Sequence, residues 1–356
     1  MGRKFNTVLT MSKGLYFIPI ALLVLGGCKT VKNDIPPQQI VAYNDQQEAE
    51  AQELLEQALQ LEKAGNDKGA EKIYKTIAKS YLGTEAAAEA HYSWGKLLLR
   101  MDRKQEAFNK FKFVTKNFPA YDRYGEVMDD EFEVACQLCD EYKTKKRTSS
   151  RFTAFFQDPK KVIESFNHII ERAPRTEKAP KALYYIAEMH QIDNEKAKAI
   201  QALDQLIDRY PESPWAPKAY VFQGDLYLAF VNGPAQDQGM TRKAINAYKD
   251  FLVLFGNRSD LADLTERAKN GLKTAYNYHT GSRVVMGDFF LFRRHYPDGA
   301  MIFYEEARRF TPASDSTELA QERIQFIRDG KPIPTNWADK LFGKAQYIPS
   351  EKPAAN

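Results

Sequence analysis

The sequence predicts an all-α solenoid of about five to six stacked helical hairpins. Three observations predict it. From Asp45 to about Asp329, Ala, Leu, Glu and Lys are dense and β-branched alternation is absent, so the pattern is helical almost throughout. Small and large apolar residues then recur at fixed offsets in six places. Proline or glycine ends five of those six.

Two antiparallel helices cross closely only where small residues face each other. A large apolar residue one turn after the second small residue fills the groove. A proline eight further on cannot donate a backbone hydrogen bond, and it ends the second helix. Gly95, Ala107, Phe111 and Pro119 follow this rule at steps of 12, 4 and 8. Ala187, Ala199, Leu203 and Pro211 repeat the same steps. So do Ala58, Ala70, Tyr74 and Leu82, without the proline. Val162, Phe166 and Pro174 keep the last two steps after a longer connection from a first helix near Ala135. Gly224 is followed by Ala244, Tyr248 and Gly256, with about eight extra residues around Val231 to Gly239. Gly287, Ala300, Tyr304 and Pro312 carry one extra residue, expected in the turn between helices.

These offsets are those of the tetratricopeptide repeat. A single hairpin would leave an apolar face exposed, so neighbours stack into a superhelix whose concave side is lined chiefly by the first helices. Such surfaces generally bind peptides or protein domains, an argument from fold alone.

The N-terminus predicts the compartment. Arg3, Lys4 and Lys13 precede an apolar run of 11 residues, Leu15 to Leu25, broken only by Pro19, and then come Gly26, Gly27 and Cys28. The run is too short for a membrane span and reads as a signal peptide over residues 1–27. Leu25-Gly26-Gly27-Cys28 resembles the bacterial lipobox, which places lipid on Cys28; the alternative is an ordinary secretory signal with a chance cysteine. Met11 offers a second start that gives a shorter signal. Residues 28–44, with Pro36 and Pro37, read as a lipidated flexible tether, 45–329 as the repeat domain, and 330–356, with four prolines, as a mostly irregular tail. Lys29 after the cysteine favours the outer membrane, facing the periplasm.

Composition limits the remaining function classes. A 43% hydrophobic and 28% charged chain is globular, and a net charge of +4 is too small to argue for nucleic acid. Cys136 and Cys139 form a lone C-x-x-C without the second ligand pair that zinc needs; they read as packed helix residues, with a local disulfide as the other reading. None of His91, His168, His190, His279 and His295 is four residues from another, and no nucleophile elbow, phosphate loop or dinucleotide fingerprint occurs. The expectation is a non-enzymatic protein with no catalytic residue, cofactor or metal. Asp129, Asp130 and Glu131 read as an acidic helix start. Lys143, Lys145, Lys146, Arg147 and Arg151 read as a solvated loop, or as a contact with anionic headgroups or an acidic partner. Tyr184, Tyr185, Phe222 and Tyr227 fall on first-helix faces, as core or as groove-facing rings. Trp337, Leu341 and Phe342 in the tail read either as a short docking helix or as inert.

With lipobox and repeats in place, the chain resembles the BamD family, the lipoprotein subunit of the outer-membrane β-barrel assembly machine. The resemblance covers roughly Gln46 to Ile327. It rests also on Tyr248-Lys249-Asp250-Phe251-Leu252, on a long helix from Leu261 to Tyr278, and on Gly287-Asp288-Phe289-Phe290 with Ala300 and Tyr304. Leu206-Ile207-Asp208-Arg209-Tyr210-Pro211-Glu212-Ser213 has the same flavour. The chain departs from the family in length, with added segments at 143–156 and 231–239 and a longer tail. The resemblance implies a scaffold whose C-terminal repeats dock on the periplasmic domains of the barrel-forming subunit, alongside other assembly lipoproteins, and whose N-terminal repeats meet unfolded outer-membrane proteins. The alternatives are a repeat lipoprotein of cell-wall synthesis or division, and a glycan-binding lipoprotein of the SusD type.

Overall fold

The computed structural model describes residues 44–148, 159–236, 238–310 and 314–333. Among them are thirteen α-helices and no strand, and the helices pair in chain order. The hairpins are α1 (Asp45–Lys63) with α2 (Asp67–Ser80), α3 (Glu85–Arg100) with α4 (Lys104–Asn117), and α5 (Tyr124–Thr148) with α6 (Pro159–Arg172). They continue as α7 (Lys178–Ile192) with α8 (Lys196–Arg209) and α9 (Ala216–Leu228) with α10 (Gly239–Phe255). The 27-residue α11 (Ala262–Asp288) pairs with α12 (Pro297–Phe310), and α13 (Asp315–Arg328) packs on both.

Local chemistry sets the boundaries. Asn44 forms a capping box with Gln47 at the start of α1, and the side chains of Asn66, Thr84 and Ser314 cap α2, α3 and α13. The turns inside the first, second and fourth hairpins each contain one left-handed residue: Gly65, Asp102 and Asn194. Each lies seven residues after its small crossing residue, and each is of a type that tolerates that conformation.

The small residues are where the offsets place them. Ala58, Ala70, Ala107, Ala135, Ala187, Ala199, Ala244 and Ala300 are fully buried. A Cβ on Gly95 would come 2.3 Å from the Phe111 ring, on Gly224 2.5 Å from Tyr248, and on Gly287 2.4 Å from Tyr304. The glycines are therefore seats for the large residue of the same hairpin. Tyr248 has a second seat: a Cβ on Gly271 of α11 would come 2.3 Å from it.

Three expectations are corrected. The last hairpin has no separate first helix. Its Gly287 lies in the final turn of α11, whose N-terminal half already packs on α10. The extra residue does fall between the helices, where a π-helical turn, Phe289–Arg293, follows α11, so the left-handed residue, His295, comes one position later than in the other hairpins. Lys143 and the two lysines after it do not form a loop, because α5 runs on to Thr148. Asp129 to Glu131 do not start a helix either; they lie at least a full turn inside α5.

Candidate interaction surface

Consecutive first helices are tied through side chains. Glu48 of α1 accepts the Glu85 and Ala86 amides that open α3. Tyr92 and Lys96 of α3 both reach Asp130 of α5, at 2.7 and 2.9 Å. Lys143 of α5 meets Glu188 of α7 at 2.5 Å, and Tyr142 and Lys146 meet Asp193 at 2.5 and 2.9 Å. This explains the basic run: its lysines staple two hairpins, with carboxylates 45 and 47 residues away. Further on, Asp225 of α9 pairs with Arg267 of α11, and Asp288 with Arg323 of α13 at 3.1 Å. Tyr248 donates to Asp225 and Tyr304 to Asp288, each at 2.6 Å. The last two hairpins thus repeat one arrangement: glycine then aspartate on the first helix, a tyrosine over both, and an arginine 19 residues after the tyrosine.

Three helices present a shared aromatic face. Phe132, Cys136, Cys139 and Lys143 fall on one stripe of α5; Lys181, Tyr184, Tyr185 and Glu188 on one stripe of α7; and Trp215, Lys218 and Phe222 on one stripe at the start of α9. The stripes meet. Tyr184 lies 5.1 Å from the Trp215 ring and 5.6 Å from Phe222, and Tyr185 stacks on Phe166 at 5.4 Å. Tyr184, Tyr185 and Trp215 remain half-buried, whereas Phe222 is core. Tyr227 is half-buried too, packed beside α10 with Lys243 over its ring. Cys136 and Cys139 are free, buried thiols that burial pushes up to about 11 and 12, so both are poor nucleophiles.

Exposed apolar side chains cluster in one part of the sequence. The exposed large hydrophobic residues among those described are Phe230, Val253, Leu254, Met286, Tyr296 and Ile302, all in the last two hairpins. Val253 is 81% and Ile302 61% exposed, values that no packing need explains.

The remaining sequence-predicted residues are dispersed. His190 contacts Glu195 at 2.8 Å, and His295 lies in a turn. His91 is stacked on Phe113, and His168 is buried beside Glu131. Among the described residues no group of three His, Cys, Asp or Glu side chains is placed to hold a metal, and no helix is long and apolar enough to cross a membrane. Cys28, Arg151, Pro312 and the tail residues Trp337, Leu341 and Phe342 lie outside the described residues.

A tetratricopeptide-repeat family profile matches residues 181–213, which run from the first turn of α7 to just past α8. That segment is a tetratricopeptide repeat. The hairpins around it share its crossing residues, and the all-helical array has the architecture of a tetratricopeptide protein-interaction scaffold. Similar solved structures include a thermophilic TPR protein of Thermus thermophilus, at 17% identity over 62% of this chain and 98% of that one, with a TM-score of 0.31. MamA from Desulfovibrio magneticus RS-1 is similar at 16% identity over 61% and 99%, with a TM-score of 0.30. A tetratricopeptide repeat protein from Parabacteroides merdae ATCC 43184 is similar at 12% over 78% and 98%, with a TM-score of 0.32. No curated protein matches the chain.

Proposed function

We propose that this protein is a non-enzymatic scaffold of the BamD kind, anchored through lipid on Cys28 to the periplasmic face of the outer membrane. Its last repeats hold the barrel-forming subunit of the assembly machine, and its earlier repeats meet unfolded barrel substrates. The observation that carries the reading is the concentration of exposed large apolar side chains in the last two hairpins. A concentration of that kind suits a preformed docking face, and interface cores favour such residues.

The test is capture of the periplasmic domains of the barrel-forming subunit from the same organism by full-length protein. Val253→Asp and Ile302→Asp, made separately, place charge where the side chain is largely exposed, so folding should be within about 0.5 kcal/mol of wild type. At least one of them is expected to lose capture. Depletion in cells is expected to lower many outer-membrane barrels together. Normal barrel levels with failed septation or wall synthesis would instead support the cell-wall reading. The anchor has its own measurement: Cys28→Ala should lose both labelling by a palmitate analogue and membrane retention, and equal labelling would remove the lipid from the proposal.

A further inference from the structure

We propose that Asn232 is a self-modification site, whose side-chain amide converts in the folded protein, without an enzyme, to aspartate and isoaspartate. The chain holds two Asn-Gly steps, Asn232-Gly233 and Asn270-Gly271. Glycine, lacking a Cβ, leaves its own backbone nitrogen least hindered toward the asparagine side chain before it. The structure separates the two steps. Asn270-Gly271 lies inside α11. In an α-helix the nitrogen at 271 is bonded to the carbonyl one turn back, and a ψ of about −42° turns the side chain of residue 270 away from it. The Asn270 amide also donates to Glu266 Oε1 at 3.2 Å.

Asn232-Gly233 has none of these restraints. It lies between α9 and α10, and Asn232 is exposed. Neither the Asn232 side chain nor the Gly233 N–H bonds to a described residue. Gly233 sits at φ +146°, and the space where a Cβ would stand is open. The residues around the step are anchored. The Asn232 N–H donates to Gln236 Oε1 at 2.9 Å, and Gln238 Nε2 donates to the carbonyls of Pro234 and Gln236 at 3.2 and 2.8 Å. Pro234 is buried, and a Cβ on Gly281 of α11 would come 2.9 Å from it. The step is thus a free link in a held loop.

The chemistry needs only water. Hydroxide takes the proton from the Gly233 nitrogen, which attacks the side-chain carbonyl carbon of Asn232. The bond from that carbon to its amide nitrogen breaks, ammonia leaves, and a five-membered succinimide remains. Water then opens the ring at either carbonyl, giving aspartate or isoaspartate. Loss of ammonia makes the conversion one-way. Isoaspartate routes the main chain through the side-chain carbon, lengthening it by one methylene. That length enters between the Asn232 bond to Gln236 and the buried Pro234, so the isoaspartyl form loosens the contact of Pro234 with Gly281. The inserted loop therefore carries a slow timer on its own hold upon α11.

The experiment holds the full-length protein at pH 8 for days, folded and in urea, and maps its peptides by mass spectrometry. In the folded protein Asn232 is expected to gain the mass of an amide-to-acid conversion while Asn270 stays an amide; in urea both convert. An isoaspartyl methyltransferase, used as a reagent, should label only the peptide containing residue 232 in folded material. Holding the protein at pH 5 should slow the conversion, because hydroxide is scarce. Asn232→Gln, at an exposed position, should keep the fold and lose the mass gain, since the longer side chain closes the ring far more slowly. After separation by anion exchange, the isoaspartyl form should exchange amide hydrogens faster than the amide form around Pro234 and Gly281. An Asn232 that stays an amide in the folded protein while converting in urea would overturn the site. So would equal conversion of Asn232 and Asn270 in the folded protein. Identical hydrogen exchange in the two forms would overturn the loosening of Pro234.

Discussion

Gly271→Ala is expected to destabilise the last two hairpins by on the order of 3 kcal/mol, despite replacing a helical glycine with the best helix former. Helix propensity alone favours alanine by about 1 kcal/mol. Packing opposes it with the larger effect. The new Cβ would lie 2.3 Å from the Tyr248 ring and 2.6 Å from its hydroxyl oxygen. Tyr248 is fully buried, and the Gly224 backbone seats its other face. Its hydroxyl is held by Asp225 at 2.6 Å. The ring can yield only by breaking that bond, which adds an unsatisfied buried group to an overpacking cost of about 1–3 kcal/mol. Urea unfolding of Gly271→Ala, Tyr248→Leu and the double variant would measure the coupling. The smaller leucine should absorb much of the alanine's cost. Simple additivity of the two single effects would show that Gly271 is not the seat of Tyr248.

Glu131→Gln is expected to stabilise the protein at alkaline pH by on the order of 3 kcal/mol, and to change it little near pH 5. Glu131 is 0% exposed, between the second and third hairpins. One carboxyl oxygen accepts the Thr115 hydroxyl at 2.9 Å; the other has no hydrogen-bond donor and stands 3.4 Å from His168 Nε2. Lys112 on α4 and Arg172 on α6 are the nearest charges that favour ionisation, but burial outweighs them and pushes the acid up to about 8. Burial, with the same cations and Lys116, pushes His168 down to about 4.

The signs then follow for each group. Glu131 takes up a proton on folding, so its contribution is complete below the ordinary carboxyl value of 4.5 and is lost as pH rises through about 8. His168 folds neutral, so its contribution is complete above 6.5 and is lost as pH falls toward about 4. Glutamine mimics the neutral acid and removes only the alkaline loss. Chemical unfolding from pH 5 to 9 should show the wild-type and variant curves diverging upward in pH. Parallel curves would mean that Glu131 does not take up a proton on folding.

How much of this was legible in the sequence depended on range. Gly95, Ala107 and Phe111 act within one hairpin, and their crossing could be read from steps of 12 and 4. Gly271 follows no such step, because it seats the tyrosine of the preceding hairpin. Lys143 and Lys146 looked like a loop because Lys143-Thr144-Lys145-Lys146 has no apolar period, while the acids that order it are on α7 and just past its end. Glu131 read as part of an acidic helix start because two aspartates precede it, although Phe132 and Val134 beside it are core. The aromatic face was half legible: Tyr184, Tyr185 and Phe222 stood out on their helices, but Trp215 lies in the approach to α9, and nothing local joined it to Lys181. The repeated aspartate, tyrosine and arginine arrangement was not read from the sequence: its trace there is an interval of 19 residues found twice, which is weak evidence until the side chains meet.

The fusion of two hairpins through α11 has a mechanical consequence. An unbroken helix of 27 residues is a strut roughly 40 Å long. Its N-terminal half is keyed into α10 by Tyr248 on Gly271, and its far end is clamped by Tyr304 and Arg323 on Asp288. Where other hairpins are joined by a turn, these two share a beam. A load applied at Met286 is carried along the helix axis to the fifth hairpin without crossing a hinge. The last two hairpins should therefore yield or hold as one piece.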